Sequence, residues 1–164
     1  QPDRLVAMDR WLLGGVDVLG FQPVFMLAVG VIPCAAILLA QAPKFDQFGF
    51  DAEIAAGRGV SIARLQIVTF FIGSLITAMI VSEVGPIGFV GLIVPHVVRM
   101  FTGSRHRLLM PMSLLVGGAF LCACDIIART ILPGETPIGI VTIFIGGPFF
   151  LYLLMRRKFT DWEV

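Results

Sequence analysis

The chain has 164 residues, 57% of them hydrophobic and 14% charged, with a mean hydropathy of +0.94. Soluble domains carry about 25% charged and ~45–50% apolar residues, so a soluble domain, a disordered segment and a disulfide scaffold are excluded. With 12 Lys+Arg against 11 Asp+Glu, a net charge of +1, no clustered basic excess exists for nucleic acid. A spanning helix takes ~20 apolar residues, which with loops leaves room for about five membrane segments. The reading is all-α: a polytopic membrane helical bundle. The opening Gln1-Pro2-Asp3-Arg4 has neither Met nor a signal-peptide pattern, and this leads to the expectation of a piece of a longer polypeptide.

In chain order, residues 1–20 form an outer segment after a preceding helix, with Trp11 as an interfacial aromatic. Residues 21–42 are an uncharged span ending at Pro43-Lys44, with a kink expected at Pro33. The polar interval 43–64 holds Asp46, Asp51, Glu53 and Arg58, and its Ala52–Ala56 stretch predicts a short surface helix closed by Gly57 and Gly59. Residues 65–84 are the second span, apolar except for Glu83, and Gly85-Pro86 breaks it. Residues 86–100, interrupted by Gly88, Gly91 and Pro95 before His96 and Arg99, predict a short broken span rather than a regular helix. The span 108–132 has Pro111 in its first turn, where a missing N–H costs nothing, and carries Asp125 and Arg129 towards its far end. After the Pro133–Pro137 turn cluster comes the span 138–155, stopped by Arg156-Arg157-Lys158 at the head of the tail 156–164.

Basic residues set an orientation. Lys44, Arg58 and Arg64, then Arg99, Arg105 and Arg107, then Arg156, Arg157 and Lys158 occupy segment ends that alternate along the chain. The positive-inside rule assigns those ends to the cytoplasm and the ends bearing Asp17, Glu83 and Glu135 to the outer side. This arrangement requires the segment 86–100 to cross. Continuous apolar runs, without alternation, exclude a β-barrel.

No hydrolase, zinc-protease or phosphate-cradling motif is present, so any ATPase must be another polypeptide. Neither a cofactor nor a metal site is expected. Cys34, Cys122 and Cys124 lie in apolar stretches and read as small hydrophobes; Cys122 and Cys124, two apart, face different directions on a helix. Gly85, Gly88 and Gly91 repeat every three residues, a spacing that lines one face for close helix packing. Asp125 and Arg129, four apart with the acid first, share a face and can pair. That pair is either an ion pair near the outer surface or a cation presented to an acidic partner. His96 reads as the cap of a broken helix, and the segment Asp51–Gly57 as either a solvated loop or a docking surface.

Gly85-Pro86-Ile87-Gly88-Phe89-Val90-Gly91-Leu92-Ile93-Val94-Pro95-His96 resembles the signature of the FecCD family, permease subunits of ABC importers for iron–siderophores, haem and cobalamin. The resemblance continues through Ser104, His106-Arg107 and Leu108-Leu109-Met110-Pro111. It reappears at Asp125–Arg129, Glu135–Thr142 and Gly146–Phe150, and Trp11-Leu12-Leu13-Gly14-Gly15 is similar to the family's Trp-x-x-Gly-Ser/Gly element. It implies the C-terminal half of a ten-helix, type II ABC importer permease in the bacterial inner membrane. The partners implied are a second permease subunit, expected to be a copy of the same one, a cytoplasmic ABC ATPase, a periplasmic or lipid-anchored substrate-binding protein, and membrane lipid. On this resemblance Arg129, with Asp125 beside it, faces the binding protein. Asp51, Ala52, Glu53, Ala55, Gly57 and Gly59 fall in the family's ATPase-coupling region, whose usual pattern is altered here at Asp51-Ala52 and Arg58. Gly85, Pro86, Gly88, Gly91, Pro95 and His96 are signature and packing positions. Rival expectations are an ion-coupled secondary transporter, which needs a charge at the membrane midplane whereas the charges here gather at span ends, and an inactive truncated permease half.

Overall fold

The computed structural model describes residues 11–15, 20–48, 62–130 and 136–160. Besides a helical stretch at 11–13, they form α1 (Gln22–Phe48), α2 (Ile62–Val84), α3 (Val90–Thr102), α4 (His106–Thr130) and α5 (Ile138–Thr160). Among the described residues there is no strand, as the uninterrupted apolar runs require. Four of the helices are long and apolar enough to cross a membrane, over Gln22–Gln47, Ala63–Val84, His106–Thr130 and Ile138–Met155.

Three helices differ from their expected extents. α1 does not stop at residue 42 but runs through Pro43 to Phe48. Pro43 withholds one hydrogen bond from the Leu39 carbonyl, yet Phe45 and Asp46 in the following turn both engage His106, and those contacts hold the last turn in register. The segment 86–100 is not a broken helix. Residues 85–89 are non-helical, after which α3 continues through Gly91 and Pro95 without a break. Pro95 removes only the bond to the Gly91 carbonyl, and Gly91 stands in open space, so the helix adapts locally. With 13 residues, α3 rises only ~20 Å, short of a ~30 Å hydrocarbon layer. The cluster Arg156-Arg157-Lys158 ends the apolar stretch of α5 but not its helix, which persists to Thr160, since Arg and Lys are good helix formers and favour a helix C-terminus.

The chain divides into two compact units. One gathers the described residues of Gln1–Val16, Val84–Val97 and Leu115–Val164. Its core is Cys124, Ala128, Ile138 and Val141, flanked by Phe120 and Ile127, so the small-residue stripe of α4 meets the start of α5. Buried Cys124 and exposed Cys122 confirm that the pair points in different directions. The other unit gathers Asp17–Glu83 and Val98–Leu114. There Met79 of α2 lies over Gly30 of α1, at a spot where an added Cβ would sit 2.8 Å from the sulfur; Gln41, Ala42, Leu65, Val98 and Leu109 are buried.

Candidate functional site

In the first unit, the dipeptide Gly14-Gly15 joins two helix ends. Gly15 N–H donates to the carbonyl of Val84, the last residue of α2, at 2.9 Å, and the Gly14 carbonyl accepts from Gly139 N–H in the first turn of α5 at 3.3 Å. Each helix end thereby satisfies a group that its own ladder leaves unpaired. The backbones approach too closely for side chains. A Cβ on Gly139 would overlap the Leu13 carbonyl oxygen, and one on Gly85 the Trp11 carbonyl oxygen, while one on Gly14 would lie 2.7 Å from the Pro86 carbonyl oxygen. Gly14 and Gly85 also hold φ of +74° and +73°, a region that side chains with a Cβ adopt at a cost of roughly 1–2 kcal/mol.

The entry to α3 is equally tight. Val90 N–H donates to the Gly88 carbonyl at 2.9 Å around Phe89, whose φ is +66°. This is the positive-φ γ-turn, the rarer and strained form. Phe89 is held there against α5, because its Cβ and ring occupy the place that a side chain on Gly146 would take. Its carbonyl then accepts from Leu92 and Ile93, which starts α3.

The signature residues therefore have separate tasks. Gly85 and Pro86 belong to the clip around Gly14, and Gly88 to the turn at Phe89. A Cβ added to Gly91 would meet nothing within 4 Å outside its own helix backbone. The three glycines do not share a helical face, because the helix begins only at Val90. Pro95 lies inside α3, and His96 is no cap: it sits mid-helix with its ring edge-on to Phe149 at 6.2 Å, in a hollow of about 200 Å³ shared with Leu92, Phe150, Leu153 and Leu154.

Near the end of α4, the Nε of Arg129 donates to Asp125 Oδ1 at 2.8 Å, with side chains 57% and 33% exposed. The i,i+4 spacing brings the pair together as expected, and the carboxylate braces an exposed cation. The candidate coupling residues Asp51, Ala52, Glu53, Ala55, Gly57 and Gly59, together with Arg58, lie outside the described residues.

A polar cluster that the sequence did not announce closes the other end of α4, within the second unit. Arg105 occupies the position before the helix, its carbonyl accepting from Leu109 N–H at 2.9 Å, but a guanidinium cannot accept the orphan amides of the first turn. Asp46, 60 residues upstream, does so instead. Its Oδ1 accepts from His106 N–H at 2.5 Å and from the ring Nδ1–H at 3.0 Å, and its Oδ2 accepts from Arg107 N–H at 3.4 Å. The Phe45 ring lies 5.7 Å from the imidazole. The only hint in the sequence is the missing Ser, Thr, Asp or Asn at 105.

With this geometry established, relatives identify the architecture. A profile of the FecCD transport family matches residues 1–156. The chain belongs to this family. It is 43% identical to the cobalamin import system permease protein BtuC of Halobacterium salinarum over 90% of its own length and 40% of the relative's. It is 34% identical to the Fe(3+) dicitrate permease FecC of Escherichia coli, covering 94% of the chain and 47% of that protein. For the hemin permease HmuU of Yersinia pestis the figures are 31%, 94% and 47%. The solved inward-facing structure of a transporter assigned to the metal-chelate type of ABC transporter superposes with a TM-score of 0.85 at 32% identity, over 94% of this chain and 50% of that one. The chain spans about half the length of the curated relatives it matches. Family membership and four span-length helices together make it a multi-pass membrane protein.

Proposed function

We propose that this chain is the C-terminal half of the permease of an ATP-driven importer for metal chelates of the iron–siderophore, haem or cobalamin kind. The observation that carries the reading is the match of nearly the whole chain to permeases named for cobalamin, ferric dicitrate and hemin import. The signature around Gly85–His96 supports it as well. In this reading two permeases enclose the path, a separate ATPase binds the cytoplasmic interval 43–64, and a substrate-binding protein docks on the outer side at Arg129. ATPase closure biases one of two helix arrangements, and differential binding in those two states drives alternating access. The exposed Asp125–Arg129 pair supports the docking role, because it holds a permanent cation at an exposed position near the end of α4, where acidic groups of a partner would be attracted.

The reading is tested by ATP hydrolysis of the assembled complex, titrated with loaded binding protein. Hydrolysis is expected to rise with the binding protein. Hydrolysis that ignores it, at every concentration, contradicts the proposal.

A further inference from the structure

We infer that Asp46 is a positioning residue that ties the cytoplasmic interval after α1 to α4, so that displacement of the interval is delivered into α4 rather than lost at a flexible joint. The inference rests on the proposed ATPase contact of that interval.

Four observations carry it. Asp46 lies in the last turn of α1, two residues before Phe48, where the helix ends and the interval proceeds. Its carboxylate engages two backbone amides and the imidazole of α4's first turn, so two of its three contacts grip the α4 main chain itself. The side chains of His106 and Asp46 are partly buried, 28% and 24% exposed, and the Phe45 ring stands 5.7 Å from the imidazole, which limits the access of water to this side of the contact. Finally, Arg105 offers the helix no local cap, so the first-turn amides depend on Asp46. An ordinary cap comes from the preceding residue and moves with its own helix. A cap supplied from 60 residues away joins two helices that are otherwise separate in sequence. The helix so gripped, α4, is the one whose sequence also carries Asp125 and Arg129.

The test uses the complete importer in proteoliposomes, with ATP hydrolysis and uptake measured on the same preparation. Asp46→Ala is expected to lower uptake per ATP hydrolysed about fivefold or more, the size of a typical coupling between sites, while hydrolysis itself continues. Asp46→Asn keeps an acceptor for the amides and should recover most of the ratio. Amide hydrogen exchange at His106 and Arg107 supplies a second readout that does not depend on transport, and it should quicken in Asp46→Ala. Faster exchange with an unchanged uptake-to-ATP ratio would make Asp46 a cap only and overturn the inference. Equal ratios for Asp46→Ala and Asp46→Asn, both low, would also overturn it, because the amide grip would then be irrelevant. A wild-type importer lacking ATP-dependent uptake would instead overturn the functional reading beneath it.

Discussion

The clip around Gly14 and the latch at Asp46 solve the same problem, fixing helix ends that have no local partner, by opposite means. The clip brings backbone against backbone: Gly85, Gly139 and Gly14 sit where any Cβ would strike a carbonyl oxygen, and the hydrogen bonds run between main-chain groups. The latch spans its gap with a carboxylate that reaches from α1 to the amides and imidazole of α4. Backbone contact depends on the absence of a side chain and tolerates no substitution, whereas the carboxylate contact depends on one acceptor and degrades in steps. The first is an all-or-none fit of main chains, and the second can be weakened one hydrogen bond at a time.

The largest effect should come from filling the clip. Gly85→Ala adds both a steric overlap and a positive-φ penalty, and should destabilise the folded protein by about 3 kcal/mol or more, read as lost folded yield or an early unfolding transition in detergent. Gly139→Ala, with overlap alone, should cost somewhat less; near-normal stability in both would break the distinction between the two regions. The Asp125–Arg129 pair is the local, i,i+4 counterpart of the latch, and Arg129→Glu should raise the Kd for the binding protein about tenfold or more without changing folded yield. An unchanged Kd would remove Arg129 from the docking surface. Asp46→Ala should cost about 1–2 kcal/mol of stability through the lost cap, and Asp46→Asn less than half of that. The smallest effect is expected at Gly91, in open space within the same signature. Gly91→Ala should be neutral or stabilising by up to about 1 kcal/mol, and its contrast with Gly85→Ala separates the clip from the rest of the signature.

The difference between the two regions also explains what could be read from the sequence. Helices were legible because 20-residue apolar runs have few alternatives in a membrane, and the Asp125–Arg129 contact because i,i+4 neighbours meet on any helix. The Gly85–His96 motif is legible as a motif, yet the three-residue spacing of its glycines reads as one helical face. Residues 85–89 instead form a turn, whose shape depends on Gly14 and Gly146 in distant segments. His96 reads as a cap only if α3 breaks at Gly91 and Pro95, and the helix runs through both. The extension of α1 past Pro43 and the Asp46 latch escaped for one reason. They arise from a contact across 60 residues, and local propensity carries no trace of a partner so far away beyond the missing cap at Arg105.

The central claim, ATP-driven import through a permease of which this chain is half, is tested most directly by uptake into sealed vesicles. The vesicles would contain the complete permease with its ATPase and loaded binding protein, and would be offered a ferric siderophore, haem and cobalamin in turn. Accumulation of one of these chelates that requires ATP hydrolysis and survives collapse of the proton gradient is the result expected. Accumulation that follows the ion gradient and is indifferent to ATP would contradict the claim and restore the secondary-transporter alternative.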